Sequence, residues 1–131
     1  MDYKKTKNKI NQNIIPKWGE ILLIEFPPTK EDRKPIRPCL VISGEVQNKY
    51  CEWIVVITMT TEDIENIELS EVYIKNIPET GLDKSSKILC NSPRSVYKER
   101  IKKHLGTANR EIMIKVKKAW DITFNWNELN E

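Results

Sequence analysis

The chain has 131 residues, 39% of them hydrophobic and 31% charged, with a formal net charge of +3 at neutral pH. At a mean hydropathy of -0.56, no stretch approaches the roughly 20 apolar residues that a bilayer requires, so no membrane partner is expected and one soluble domain with one core is. A sequence pI near 8.7 is compatible with a polyanionic partner without requiring one.

Residues 1–15 mix Lys, Asn and Asp, with Ile10, Ile14 and Ile15 as the sizeable aliphatics, and read as a polar arm ahead of a domain over residues 16–131. The arm has lysines but no apolar core or small-residue cleavage site, so it is not a secretory signal and the expected address is the cytoplasm. "GEILLIEF", residues 19–26, is a first strand, stopped by two prolines that cannot donate ladder hydrogen bonds. "RPCLVIS" and "EWIVVITM" are two further apolar runs separated by the polar "GEVQNKY", which predicts a meander joined by a turn or short excursion. "EVYIKNI" fits a fourth strand before the loop "PETGLDKSS". "KILCN" and "RSVYKERI" predict a fifth strand interrupted near Pro93, then a short helix or bend through "KERIKKHLG". From Thr107 the period changes, and Ile112, Val116, Ala119, Trp120 and Thr123 fall on one helical stripe, capped by Thr107 or Asn109. Short strands followed by one terminal helix make an α+β domain, an antiparallel sheet or small barrel closed by the helix.

Cys39, Cys51 and Cys90 form no C-x-x-C pair, and an odd count without an export signal argues for reduced, mostly buried thiols. The one histidine, His104, has no Cys or His at ligand spacing, so no metal site is expected and His104 reads as a surface residue. Trp18, Trp53 and Trp120 are assigned to the core or a dimer seam, and Trp126 to the surface.

Arg37 carries a permanent cation directly before a buried strand. It must either meet a carboxylate or stand at the rim of a cleft facing an anion. Before it, "PPTKEDRKP" adds Lys30, Arg33 and Lys34, and four of the seven prolines, at 27, 28, 35 and 38, lie in this region. A cationic loop with stiff ends beside a cationic strand start suits a phosphate-binding rim. The competing reading, with Glu31 and Asp32 neutralising the loop and Arg37 in one structural salt bridge, stays open on composition alone.

The series "GEILLIEFPP", "IRPCLVIS", "IVVITMT" and "GLDKSSKILCNSPRSV" followed by one helix resembles the MazF/PemK family of toxins from bacterial toxin–antitoxin pairs. The resemblance runs from about Trp18 to Phe124. It implies a small SH3-like antiparallel barrel closed by a C-terminal helix, a homodimer, and cleavage of single-stranded RNA at short sequences with no metal or other cofactor. It also implies a cognate antitoxin partner that silences the toxin. The MazF-type active residues are the arginine of the RP strand and the threonine ending the third strand, which match Arg37 and Thr58. In that assignment Arg37 clamps the scissile phosphate and shares in proton transfer, while the Thr58 hydroxyl orients or hydrogen-bonds the phosphate. Taken without the resemblance, Thr58 is an ordinary strand threonine.

The last strand departs from the PemK pattern. Leu89 and Asn91 stand where PemK-type members carry a catalytic arginine and aspartate, and Ser92 replaces a glutamine. Asn91 cannot act as a general base, which leaves the MazF-type pair. Arg94 is retained, either on the substrate-facing or dimer-facing surface or in a structural ion pair. The RNA-contacting set is then Lys30, Arg33, Lys34, Asn91, Ser92 and Arg94. Two rivals remain: a non-catalytic member of the fold that binds nucleic acid or inhibits DNA gyrase, as related barrels do, and an interaction domain tethered through the lysine-rich arm.

Overall fold

The computed structural model describes residues 15–27 and 35–129. β1 (Glu20–Glu25), β2 (Ile36–Val41), α1 (Glu45–Tyr50), β3 (Trp53–Thr60), β4 (Glu71–Ile74), β5 (Ser86–Tyr97), β6 (Ile101–Thr107) and α2 (Arg110–Thr123) follow in that order. The strands form one antiparallel sheet in the order β4-β5-β3-β2-β1-β6.

Both faces of the sheet are apolar. On one, Ile21, Leu40, Ile57, Met59 and Ile88 pack with Met113, Val116 and Ala119 of α2. This is the predicted stripe shifted slightly, with Ile112 and Trp120 partly buried at its margin. Asn109 caps the helix, its side-chain oxygen accepting from the Ile112 N–H at 2.9 Å. The opposite face holds a second core of Leu22, Ile24, Phe26, Cys39, Val41, Ile54, Val56, Val96 and Ile101.

Chain connectivity makes the second face concave. β5 and β6 are joined by the three-residue turn Lys98–Arg100, yet β6 is four places from β5 in the sheet. Four strand spacings in a flat sheet are roughly 19 Å, more than the roughly 14 Å an extended chain of that length covers. The sheet therefore curls until its β1–β6 edge comes round to β5.

The curl stops short of the closed SH3-like barrel expected from the sequence, and the sheet is open. Among the described residues β4 and β6 are edges with no ladder between them. β4 is four residues long and pairs only with the first part of β5. β6 turns Lys102, Lys103 and His104 to solvent, as edge strands do to deter further pairing. The gap is bridged instead by the turn after β4, where the Thr107 N–H donates to the Glu79 carbonyl at 2.9 Å. Two glycines allow this approach. A Cβ on Gly81 would lie 1.9 Å from the Leu105 carbonyl oxygen and one on Gly106 2.3 Å from that of Glu79.

Other expectations change as well. β5 runs unbroken through Pro93, because on that half it has a ladder with β3 alone and needs no donor on its other side. The expected helix or bend at "KERIKKHLG" is one 3-10 turn followed by β6, held by Lys102–Glu25 at 3.2 Å and His104–Glu20 at 3.0 Å. The polar "GEVQNKY" holds helix α1, pinned by buried Asn48, whose side-chain amide donates to the Ser43 carbonyl at 2.9 Å. Of the core or dimer-seam places expected for Trp18 and Trp53, the core is excluded, since both are exposed. Trp126 is exposed as expected. No helix among the described residues is long and apolar enough to cross a membrane.

Candidate active site

Register builds the site. Ile24 pairs with Arg37 and Cys39 with Thr58, and directly opposed residues share a face while alternate residues along a strand do too. Arg37, Cys39 and Thr58 therefore line the concave face. Arg94 joins them, because it is opposite Val56 on β3, two residues from Thr58. Residues far apart in the chain converge because the sheet alternates with period two and then curls.

Thr58 is 3% exposed and Arg37 is half-buried. Between them Cys39 is fully buried, its thiol directed to the Arg37 carbonyl at 3.6 Å. Burial pushes that thiol up to about 12, although the guanidiniums of Arg37 and Arg94 pull in the other direction. Both cations thus act on one buried sulfur, which stays protonated at neutral pH and is no nucleophile.

Opposite Thr58 the ladder breaks. Ile57 pairs with Pro93 and Met59 with Ile88, so Thr58 alone on β3 faces Leu89, Cys90, Asn91 and Ser92 on β5. The surplus bends β5 outward at this point. Asn91 is exposed and Ser92 half-buried, both on the segment across from Thr58, and the Ser92 hydroxyl is 3.4 Å from the Asn91 side-chain oxygen.

Of the two readings of Arg94, the structural ion pair is not made among the described residues. The Arg94 guanidinium carbon lies 4.4 Å from the ring centroid of Phe26. Phe26 follows β1 and is buried. Its N–H donates to the Pro35 carbonyl, tying together the two ends of the segment between β1 and β2.

Of the predicted site residues, Arg37, Thr58 and Arg94 come to one face, and Asn91 and Ser92 to the bulged segment beside it. Lys30, Arg33 and Lys34 lie outside the described residues. His104 is exposed on β6, where it contacts Glu20 at 3.0 Å. Phe26 and Cys39 were not singled out from the sequence. The alternation that puts Cys39 in phase with Arg37 was visible there, whereas the Phe26–Arg94 contact depends on the curl. Among the described residues no group of three or more His, Cys, Asp or Glu side chains is arranged to hold a metal ion.

Residues 17–124 match the family model of the PemK-like, MazF-like toxins of type II toxin–antitoxin systems. The chain belongs to this family. Endoribonuclease MazF of Staphylococcus epidermidis is 26% identical to this PemK/MazF-like chain over 113 residues, covering 86% of the chain and 93% of that relative. Among solved structures, MazF from Deinococcus radiodurans superposes with a TM-score of 0.71 at 18% identity, covering 86% of this chain and 99% of that one. A mycobacterial endoribonuclease in complex with its cognate antitoxin gives 0.70 at 16% identity, covering 84% and 95%. At those identities the two structures speak for the fold alone. The open curled sheet with its C-terminal helix is thus the fold of this PemK/MazF-like family.

Proposed function

We propose that the chain is an endoribonuclease toxin that cleaves single-stranded RNA and is neutralised by an antitoxin. The observation that carries this reading is the convergence of Arg37, Thr58 and Arg94 on one concave face in a member of the PemK/MazF-like family. The curated relative is an endoribonuclease by name, and one neighbouring structure holds a cognate antitoxin.

In this reading RNA supplies its own nucleophile. The 2′-oxygen attacks the adjacent phosphorus as its proton leaves, the bond from phosphorus to the 5′-oxygen breaks, and that oxygen takes up a proton. The products are a 2′,3′-cyclic phosphate and a 5′-hydroxyl. The guanidinium of Arg37 donates to the non-bridging oxygens, where charge accumulates in the phosphorane, and shares in the proton transfers. The Thr58 hydroxyl adds a hydrogen bond that fixes the phosphate. A buried site strengthens both interactions relative to water. Arg94, Asn91 and Ser92, together with Lys30, Arg33 and Lys34, contact the flanking nucleotides. No metal or organic cofactor takes part.

Residues 16–131 act as one toxin domain carrying the arm 1–15, in the cytoplasm and as a homodimer, with exposed Trp18 and Ile114 offering apolar surface to a second copy. The test is incubation of a long single-stranded RNA with the purified protein in excess EDTA, with end-mapping of the fragments. Cleavage at a few short sequences, ending in cyclic phosphates and blocked by a 2′-deoxy substitution at the cut, is expected. Intact RNA with a folded protein would favour the binding or gyrase-inhibiting reading.

A further inference from the structure

The Arg94–Phe26 contact is more than a way to park a cation. Phe26 is 2% exposed and fixed in the second core, so its ring is an immobile support. Arg94 is an exposed residue lying on that ring at 4.4 Å. The phenyl ring covers one side of the guanidinium, and the residue as a whole stays exposed to solvent. A guanidinium resting on a buried aromatic gives up rotamer freedom before any ligand arrives. Its alignment is set by two elements, β5 opposite Val56 of β3 and the end of β1, and β5 and β1 meet only because the sheet curls.

The position gives this plane a use. Arg94 shares its face with Arg37 and Thr58, and its charge reaches the same buried Cys39 thiol that Arg37 reaches. A cation needed only for its charge at this rim would be served equally well by lysine, without an aromatic backing. Flat guanidinium planes are among the surfaces on which unpaired RNA bases stack.

We propose that the Arg94–Phe26 stack is a nucleobase platform: an unpaired base next to the scissile phosphate lies on the open face of the Arg94 guanidinium, extending the Phe26–Arg94 stack by one layer. This rests on RNA being the substrate, and it assigns Arg94 to holding one flanking nucleoside rather than to the chemical step. Arg94 then sets how strongly the base at that position is held, and its edge N–H groups remain available to read that base or a neighbouring phosphate.

The test compares the full-length wild type with Arg94→Lys, which keeps the charge and sits at an exposed position, so folding is not at issue. On an oligonucleotide carrying the mapped cleavage sequence, Arg94→Lys is expected to raise KM about tenfold with kcat within about twofold, the loss of one stacked base. The dependence on salt should be unchanged, because no phosphate contact has been lost. Substrates abasic at the nucleotide on either side of the cut complete the cycle. At one of the two positions the wild type should lose the same factor and Arg94→Lys nothing further. Equal KM values for the two proteins, or losses that multiply at both positions, would overturn the platform. Should wild type leave RNA uncut, the endoribonuclease reading fails on its own, and anisotropy with fluorescein-labelled oligouridine decides this one. Binding about tenfold weaker in Arg94→Lys at an unchanged salt slope supports the platform, and equal binding overturns it.

Discussion

Cys39 on β2 stands directly across the ladder from Thr58 on β3, and that pairing fixes which face receives Arg37, two residues earlier. A slip of one residue would send Arg37 to the face covered by α2 and leave Thr58 on the other. Thr58→Val keeps the shape and apolar contacts of this nearly buried side chain but removes the hydroxyl. The variant should be folded, by circular dichroism, with kcat/KM lowered about 10- to 100-fold, the loss of one hydrogen bond to a charged group. Thr58→Ser should stay within several-fold of wild type.

The thiols should divide by burial. Burial pushes both Cys39 and Cys90 up to about 12, while Cys51 is exposed. Iodoacetamide at pH 8 should alkylate Cys51 alone in the native protein and all three in urea, read by mass spectrometry. These shifts also fix the sign of one pH effect. Above the ordinary thiol value of 9.0 the unfolded chain releases protons that the folded chain keeps, so the unfolded state binds fewer protons and stability falls as pH rises towards 12. Each thiol contributes about 1.4 kcal/mol per pH unit in that window. The urea midpoint should drop between pH 9 and 10.5, and less steeply in a Cys39→Ala, Cys90→Ala variant.

Asn109→Ala removes the cap of α2 at a site distant from Arg37. A loss of about 1 kcal/mol, a fall in Tm of about 3–5 °C, is expected. The kcat should be unchanged within about twofold, measured on the same RNA.

Gly81 has φ +69, and a Cβ there would meet the Leu105 backbone. Gly81→Ala should cost at least about 3 kcal/mol, since the strained backbone and the collision add. Gly44, where nothing lies within 4 Å of an added Cβ, should accept alanine within about 1 kcal/mol. Chemical denaturation of the two variants makes the comparison.

The first four strands and α2 were legible in the sequence because each has a clear apolar run or stripe bounded by Pro, Gly or a capping residue. β6 was not, since "IKKHLGT" carries charge at consecutive positions and only its place at the edge beside Glu20 and Glu25 makes that pattern favourable for a strand. α1 was hidden in a polar segment whose order comes from Asn48 bonded to Ser43 and from Ser43 bonded to Val55 of β3, a contact outside the segment. At the site, Arg37 drew notice as a cation against a buried strand. Thr58 looks like any strand threonine, and only family resemblance marked it. Arg94 was named without its partner, because nothing local couples residue 94 to residue 26. That contact, like the difference between an open curled sheet and a closed barrel, is set by how far six strands roll.

In the proposed reaction Arg37 carries the charge of the phosphorane. Single-turnover cleavage of the mapped oligonucleotide in excess EDTA by wild type and Arg37→Ala, beside binding of a 2′-deoxy analogue, tests it most directly. Arg37→Ala should cleave at least about 100-fold more slowly, the usual cost of losing one donor to a developing anion, with binding weakened less than about tenfold. Cleavage by Arg37→Ala at the wild-type rate, with the same cyclic-phosphate ends, would contradict it.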